Sequence, residues 1–172
     1  MNKHFKIYES GSEASLYIPF ITLYSYKQQF DSYIAECNRW IEEPIHVSAA
    51  AVFESFLKYQ EDHWIMIVDE IDNSAGKSAG KGICVGFIHF TAYSDFDYVN
   101  YLFVNPDYQK QGFGRKLFEL IKTNRKLVLS CLTANKSVQS FYEHLGFQKA
   151  DWNKYEKDLI YISDKFMLYE LV

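Results

Sequence analysis

The run Gln109-Lys110-Gln111-Gly112-Phe113-Gly114-Arg115 holds residue types that bind a phosphate group. Its two glycines let the backbone come close to a ligand, and a helix opening after Gly112 presents first N–H groups that have no intrahelical acceptor. Donors at the positive end of a helix suit a diphosphate. Lys110, Arg115 and Lys116 add positive charge around the same turn.

Two familiar phosphate loops do not fit these residues. A Walker A loop requires Gly-Lys-Ser/Thr, which is absent. A Rossmann fingerprint requires a third glycine and, further on, an acidic residue. Here Leu117 stands at the third glycine's place, and the segment after Leu127–Leu132 offers no acid.

The pattern that fits is a different one. Leu102-Phe103-Val104-Asn105-Pro106-Asp107-Tyr108-Gln109-Lys110-Gln111-Gly112-Phe113-Gly114 resembles the central motif of the GNAT superfamily of N-acetyltransferases. That motif is a strand ending Leu-aromatic-Val, then x-Pro-x-Tyr, then Arg/Gln-x-x-Gly-x-Gly/Ala. A second block, Asn135-Lys136-Ser137-Val138-Gln139-Ser140-Phe141-Tyr142-Glu143-His144-Leu145-Gly146-Phe147, resembles the family's Asn-x-x-Ala-x-x-Phe-Tyr-x-x-x-Gly-Phe helix, with Val138 where alanine is usual. The blocks fall in the family's order and separation, and Gly86 lies in a stretch matching its third strand. The resemblance is sharp over Val85 to Gln148 and faint before it.

The resemblance implies an α/β GNAT fold, a mixed central sheet of about 6–7 strands flanked by about 4 helices. It implies acetyl-CoA as cosubstrate and acetyl transfer to a primary amine by direct attack in a ternary complex. The backbone of Leu102, Phe103 and Val104 would pair with the pantetheine arm. The N–H groups of Gln109, Lys110, Gln111, Gly112, Phe113, Gly114 and Arg115 would hold the pyrophosphate. Asn135 would bond the pantetheine region or cap the last helix. Tyr142 would be the general acid for the leaving thiolate, a task suited to a phenol of pKa ~10; alternatively it belongs to the buried stripe of Phe141 and Leu145. No metal is implied.

Family members often carry a carboxylate base on the strand corresponding to Tyr98–Val104. Here the inward positions are Tyr98 and Asn100. Asp95, Asp97, His89, Glu143 and His144 are further candidates, each with a plain structural or solvated alternative, and no base is assigned. Tyr24, Tyr26, Tyr33 and Trp40 either line the acceptor site, which the family's first helices shape, or pack in the core. A second reading keeps the fold but makes it a module that binds CoA or an acyl-CoA as a structural or sensing ligand without turnover. A third, transfer to aminoacyl-tRNA by a toxin-type enzyme, meets a net charge of -4 and no basic stripe.

The elements that must position these residues can be traced along the chain. Strands are expected at Lys3–Tyr8, Trp64–Val68, Ile83–Phe90, Tyr98–Val104, Leu127–Leu132, Phe147–Trp152 and Lys165–Leu171. In the fourth, Tyr98, Asn100, Leu102 and Val104 should face one way and Val99, Tyr101 and Phe103 the other. Asn105-Pro106-Asp107 reads as a turn. The continuous apolar run Leu127–Leu132 suits a central strand covered on both faces. Helices are expected after Pro19, from Ser48, after Gly112 and from Asn135–Ser137 to Gly146. The third must be short, because only Arg115 to Arg125 separates the glycines from the next strand.

The chain has 172 residues, 48 % hydrophobic and 23 % charged, the balance of one ordinary globular domain over 1–172. Its acidic balance, 22 Asp and Glu against 18 Lys and Arg, carries no electrostatic footprint for nucleic acid. Cys37, Cys84 and Cys131 show no zinc or redox spacing and read as buried thiols in a reducing compartment, which makes the cytoplasm the expected location. Met1–Gly11 has no apolar core of a signal peptide, and no apolar run reaches the ~20 residues of a membrane span. Paired sheets in the family make a homodimer one expectation for the assembly, with the C-terminal strand at the junction.

Overall fold

A computed structural model describes residues 4–9, 62–70, 82–121, 123–159 and 165–171, and the helical positions Asp31 and Ala35. Seven strands lie in one mixed sheet: β1 (His4–Glu9), β2 (Asp62–Glu70), β3 (Gly82–Ala92), β4 (Phe96–Val104), β5 (Lys126–Leu132), β6 (Gln148–Ala150) and β7 (Phe166–Leu171). Their order across the sheet is β1-β2-β3-β4-β5-β7-β6. Every neighbouring pair is antiparallel except β4 and β5, which are parallel. Two helices are described, α1 (Phe113–Leu120) and α2 (Lys136–His144), with short 3-10 turns at Pro106–Tyr108 and Trp152–Tyr155.

The expected strands are all present, and the sheet matches the anticipated mixed architecture. The expected count of about four helices is not met among the described residues, which hold two. The segments expected to be helical after Pro19 and from Ser48 lie outside them, apart from Asp31 and Ala35. The strand expected at Phe147–Trp152 is shorter, because Asp151 Oδ1 accepts the Asn153 N–H at 3.0 Å and turns the chain into a 3-10 turn.

One core lies between the sheet and the two helices. Ile65, Val85, Ile88, Val99, Leu127 and Leu129 of the strands meet Leu117, Phe118 and Tyr142 of the helices. The opposite face of the β4, β5 and β7 half holds Phe96, Val128 and Leu168, covered by Tyr155 and Leu159. With both faces covered, β5 is built of unbroken apolar residues apart from Ser130.

Each of β3 and β4 contains a bulge. Ile67 faces Gly86 and Val68 faces Cys84, so Val85 is extra in β3. Phe90 faces Val99 and His89 faces Tyr101, so Asn100 is extra in β4. An extra residue inverts the alternation beyond it. The expected grouping of Tyr98 with Leu102 and Val104 is therefore wrong: Val99 shares the helix-covered face with Leu102 and Val104, while Tyr98 packs on the other face with Phe96.

Candidate active site

The parallel pair β4–β5 does not stay together. Its ladder runs from Phe96↔Lys126 to Val99↔Leu129 and stops. Past the bulged Asn100, β4 continues from Tyr101 to Val104 paired with β3, and β5 continues to Leu132 paired with β7. The bulge at Asn100 sits where the β4–β5 ladder ends, and a bulge both bends a strand and terminates pairing. Beyond Val99 and Leu129 the two strands are no longer paired, which leaves a gap in the ladder toward their C-terminal ends.

Both described helices begin at that end. After β4, Asn105 is held by its N–H to Val85 O at 2.8 Å, and its side chain caps the 3-10 turn by accepting from Asp107 N at 3.1 Å. Tyr108 anchors the same turn to β2 through its hydroxyl, which donates to Asp69 at 2.7 Å. Burial and this carboxylate push the Tyr108 phenol up to about 12. Gln109 Nε2 then donates to Val104 O at 3.1 Å, and Gln111 Nε2 donates to Asp107 O at 3.0 Å.

The loop leading into α1 is left-handed at Lys110, φ 59°, and at Gly112, φ 86°. The first α1 hydrogen bond is Lys116 N to Gly112 O at 3.0 Å, so the N–H groups of Phe113, Gly114 and Arg115 precede the intrahelical ladder. No side chain caps this end of the helix. A Cβ built on Gly112 would meet nothing within 4 Å. An exposed left-handed turn with outward N–H groups at a helix start fits a diphosphate.

The other expected site residues fall around the gap. Leu102 and Val104 are half-buried against the α1 side of the core, and Phe103 is buried and stacks on Phe87 with ring centroids 5.7 Å apart. Gln109, Lys110, Gln111, Gly112 and Arg115 are exposed; Phe113 and Gly114 are half-buried. Gly114 has a packing reason of its own: a Cβ there would lie 2.9 Å from the Phe141 ring of α2. Asn135 caps α2, its Oδ1 accepting from Val138 N at 3.1 Å.

Tyr142 is buried at 8 % exposure, packed edge-on to Phe118 of α1 and near Tyr169 of β7, 6.1 Å between centroids. Tyr169 lies opposite Leu129, the last residue of the β4–β5 ladder. Tyr142 therefore stands over the sheet one strand from the apex of the gap.

Among the base candidates, Asp97 was expected in a loop or in solvent and is neither. It lies inside β4 at 2 % exposure, ion-paired with Arg125, whose guanidinium also holds Tyr93 O. Asp95 is exposed. His89 is buried and stacks on Tyr101 at 5.8 Å. Glu143 accepts from the Tyr169 hydroxyl at 3.2 Å, and His144 contacts Ser140 one turn back. No carboxylate side chain is found on β4 from Asn100 to Val104 or on β5. Tyr24, Tyr26, Tyr33 and Trp40 lie outside the described residues.

Sequence reasoning missed several tethers around the gap. The Tyr98 hydroxyl and Ser130 Oγ are 2.8 Å apart and join β4 to β5 by side chains. Gln139 of α2 is buried and donates to Leu132 O at 3.0 Å and Thr133 O at 2.7 Å, fixing the helix to the end of β5. A polar residue on a helix face and a serine inside an apolar strand were the available signals. Burial pushes the Cys84 and Cys131 thiols up to about 12, as inert buried thiols require. Among the described residues no cluster of His, Cys, Asp and Glu could hold a metal, and no helix is long and apolar enough to cross a membrane.

A family model described as acetyltransferase (GNAT) domain matches residues 60–149, which span β2, the gap, the left-handed loop before α1, α1 and α2. The chain belongs to the GNAT acetyltransferase family. Solved GNAT structures share its fold at low identity. An acetyltransferase from Streptococcus agalactiae is 19% identical with a TM-score of 0.64, covering 96% of each chain. The ribosomal-protein-S18-alanine N-acetyltransferase from Escherichia coli is 19% identical with a TM-score of 0.58, over 98% of this chain and 93% of that one. A Bacillus anthracis acetyltransferase in complex with acetyl coenzyme A is 20% identical with a TM-score of 0.50, over 70% of this chain and 68% of its own. No curated protein matches the sequence.

Proposed function

We propose that this GNAT domain is an acetyl-CoA-dependent N-acetyltransferase acting on a primary amine. The observation that carries the reading is the gap between β4 and β5, open beside Asn100–Val104 and ending at the left-handed loop of α1. A pantetheine arm can enter such a gap as an added strand beside Leu102, Phe103 and Val104. The N–H groups from Gln109 to Arg115 then lie where the pyrophosphate follows. The B. anthracis relative, solved with acetyl coenzyme A, supports the choice of ligand.

Bound acetyl-CoA supplies the acetyl group; the amine nitrogen bonds to the acetyl carbon as the C–S bond breaks, and the amine's proton goes to water. Tyr142 gives the thiolate its proton, from a helix held one strand from the gap's apex by Phe118 and Tyr169. With no carboxylate on β5 or on Asn100–Val104 of β4, the acceptor arrives uncharged. A lysine-like amine of pKa ~10.4 pays about 4.6 kcal/mol for that at pH 7, and an α-amine near ~7.8 about 1 kcal/mol. The acceptor is accordingly an amine of lowered pKa, such as an α-amine.

The test is a thermal melt with and without acetyl-CoA. At a hundredfold excess over Kd, binding adds about 2.7 kcal/mol and raises the midpoint by roughly 5–11 °C for a chain of this size. No shift at millimolar acetyl-CoA overturns the reading. Tyr142→Phe is expected to keep the shift and slow thiol release by about 10²-fold or more. A wild-type protein that shifts but releases no thiol with any amine is a binding module instead.

A further inference from the structure

At the apex of the gap, two half-buried hydroxyls lie on the sheet face opposite α1 and α2. Val99, Leu129 and Cys131 pack under the helices with Leu117, Phe118 and Tyr142. Tyr98 packs on the opposite face with Phe96, Val128 and Leu168, and strand alternation puts Ser130 on that face with Val128. The backbone ladder ends at Val99↔Leu129, and the Tyr98 hydroxyl reaches Ser130 Oγ at 2.8 Å across the point where the strands part. Ser130 is the hydroxyl in an otherwise apolar β5 segment, Leu127–Leu132, and both partners are half-buried rather than sealed. Packing alone does not call for a serine there, because valine or alanine fills a strand core equally well.

Burial, aided by the neighbouring Tyr93 and Tyr101 phenols, raises the Tyr98 pKa despite the opposing Ser130 bond, so the phenol keeps its proton at neutral pH. Either hydroxyl can donate in this pair; with Tyr98 donating, Ser130 Oγ accepts. In that arrangement the serine oxygen, which has two acceptor positions, keeps one for a ligand.

We propose that Ser130, oriented by Tyr98, is the docking point for the acceptor. Its Oγ accepts an N–H of the incoming neutral amine and aims the nitrogen lone pair into the gap. Ser130 touches the substrate and Tyr98 is a positioning residue. An ammonium ion is disfavoured because the pair carries no negative charge to offset it. The proposal rests on the N-acetyltransferase reading and adds to it the group that holds the acceptor.

Hydroxylamine, a small amine uncharged at neutral pH, serves as the probe, with acetyl-CoA saturating, thiol release as readout and the enzyme-free rate subtracted. Ser130→Ala is expected to lower kcat/KM for hydroxylamine about tenfold, the loss of one hydrogen bond at the reacting group. Its acetyl-CoA melt shift should equal that of the wild type. Ser130→Thr keeps an Oγ and should recover most of the rate, which a merely structural role for the hydroxyl-bearing strand would not require. Tyr98→Phe should lower the rate in the same direction, and the double variant should lose no more than Ser130→Ala. A Ser130→Ala rate equal to wild type, or a wild-type protein that shifts with acetyl-CoA yet does not accelerate hydroxylamine acetylation, overturns the proposal while the cofactor site stands. Absence of the melt shift in the wild type overturns the underlying reading instead.

Discussion

Gly112 and Gly86 are glycines for different physical reasons, and substitution should separate them. Gly112 holds φ 86° beside open space. Alanine there meets no atom and pays only for the left-handed backbone, about 1–2 kcal/mol. Gly112→Ala should therefore lower the unliganded midpoint by roughly 2–8 °C. Gly86 is the reverse case: its Cβ would lie 2.6 Å from Phe103 O and 3.2 Å from Leu117 Cδ1. Gly86→Ala must displace the β4 backbone beside the gap or lift α1, so both the unliganded midpoint and the acetyl-CoA rise should fall. The same pair of melts checks both variants, and an unchanged ligand response in Gly86→Ala would show that the gap tolerates the shift. The glycine loop before α1 was legible in the sequence because its glycines, turn and helix start are local. The close approach at Gly86 was not, since Leu117 and Phe103 reach it only through the folded sheet.

At the scale of elements, strand and helix positions were legible wherever periodicity and caps are local. Asn135 before α2 and Gly146 after it, φ 97°, mark that helix at both ends. The β4 bulge was not legible: the apolar alternation from Tyr98 to Val104 runs through Asn100 without a visible break, and only pairing with β3 shows the extra residue. Asn135 also tests how an element serves a site. Its Oδ1 caps α2, so Asn135→Ala should cost about 1 kcal/mol. Asn135→Asp keeps the capping oxygen and removes the amide donor. If capping is the whole role, Asn135→Asp melts like wild type with and without acetyl-CoA. A ligand-dependent rise that shrinks in Asn135→Asp alone would give the amide nitrogen a bond to acetyl-CoA.

Across the whole molecule, Glu170 joins segments that are remote in sequence. Its carboxylate in β7 takes Lys154 at 2.8 and 2.7 Å, Lys126 at 3.9 Å and the Tyr155 hydroxyl. The 3-10 turn, the start of β5 and the last strand thus share one anion. None of this was legible beforehand, because the partners meet only when β7 inserts between β5 and β6. Burial alone would raise the Glu170 pKa; the hydrogen bonds from Lys154 and Tyr155 and the two lysine charges outweigh it and hold the pKa below the ordinary glutamate value. A carboxyl depressed on folding stabilises the native state above its unfolded pKa, and that contribution is lost as pH falls through the folded value. The wild-type midpoint should therefore fall on acidification below about 4.5. Glu170→Gln should melt lower at pH 7, and the gap between the two curves should close as the pH drops, because protonation makes the wild-type side chain neutral as well. Curves that stay parallel to the lowest pH would locate the acid sensitivity elsewhere. Curves that converge would show that one carboxylate fastens the turn over Phe96 and Val128, on the face where Tyr98 and Ser130 stand.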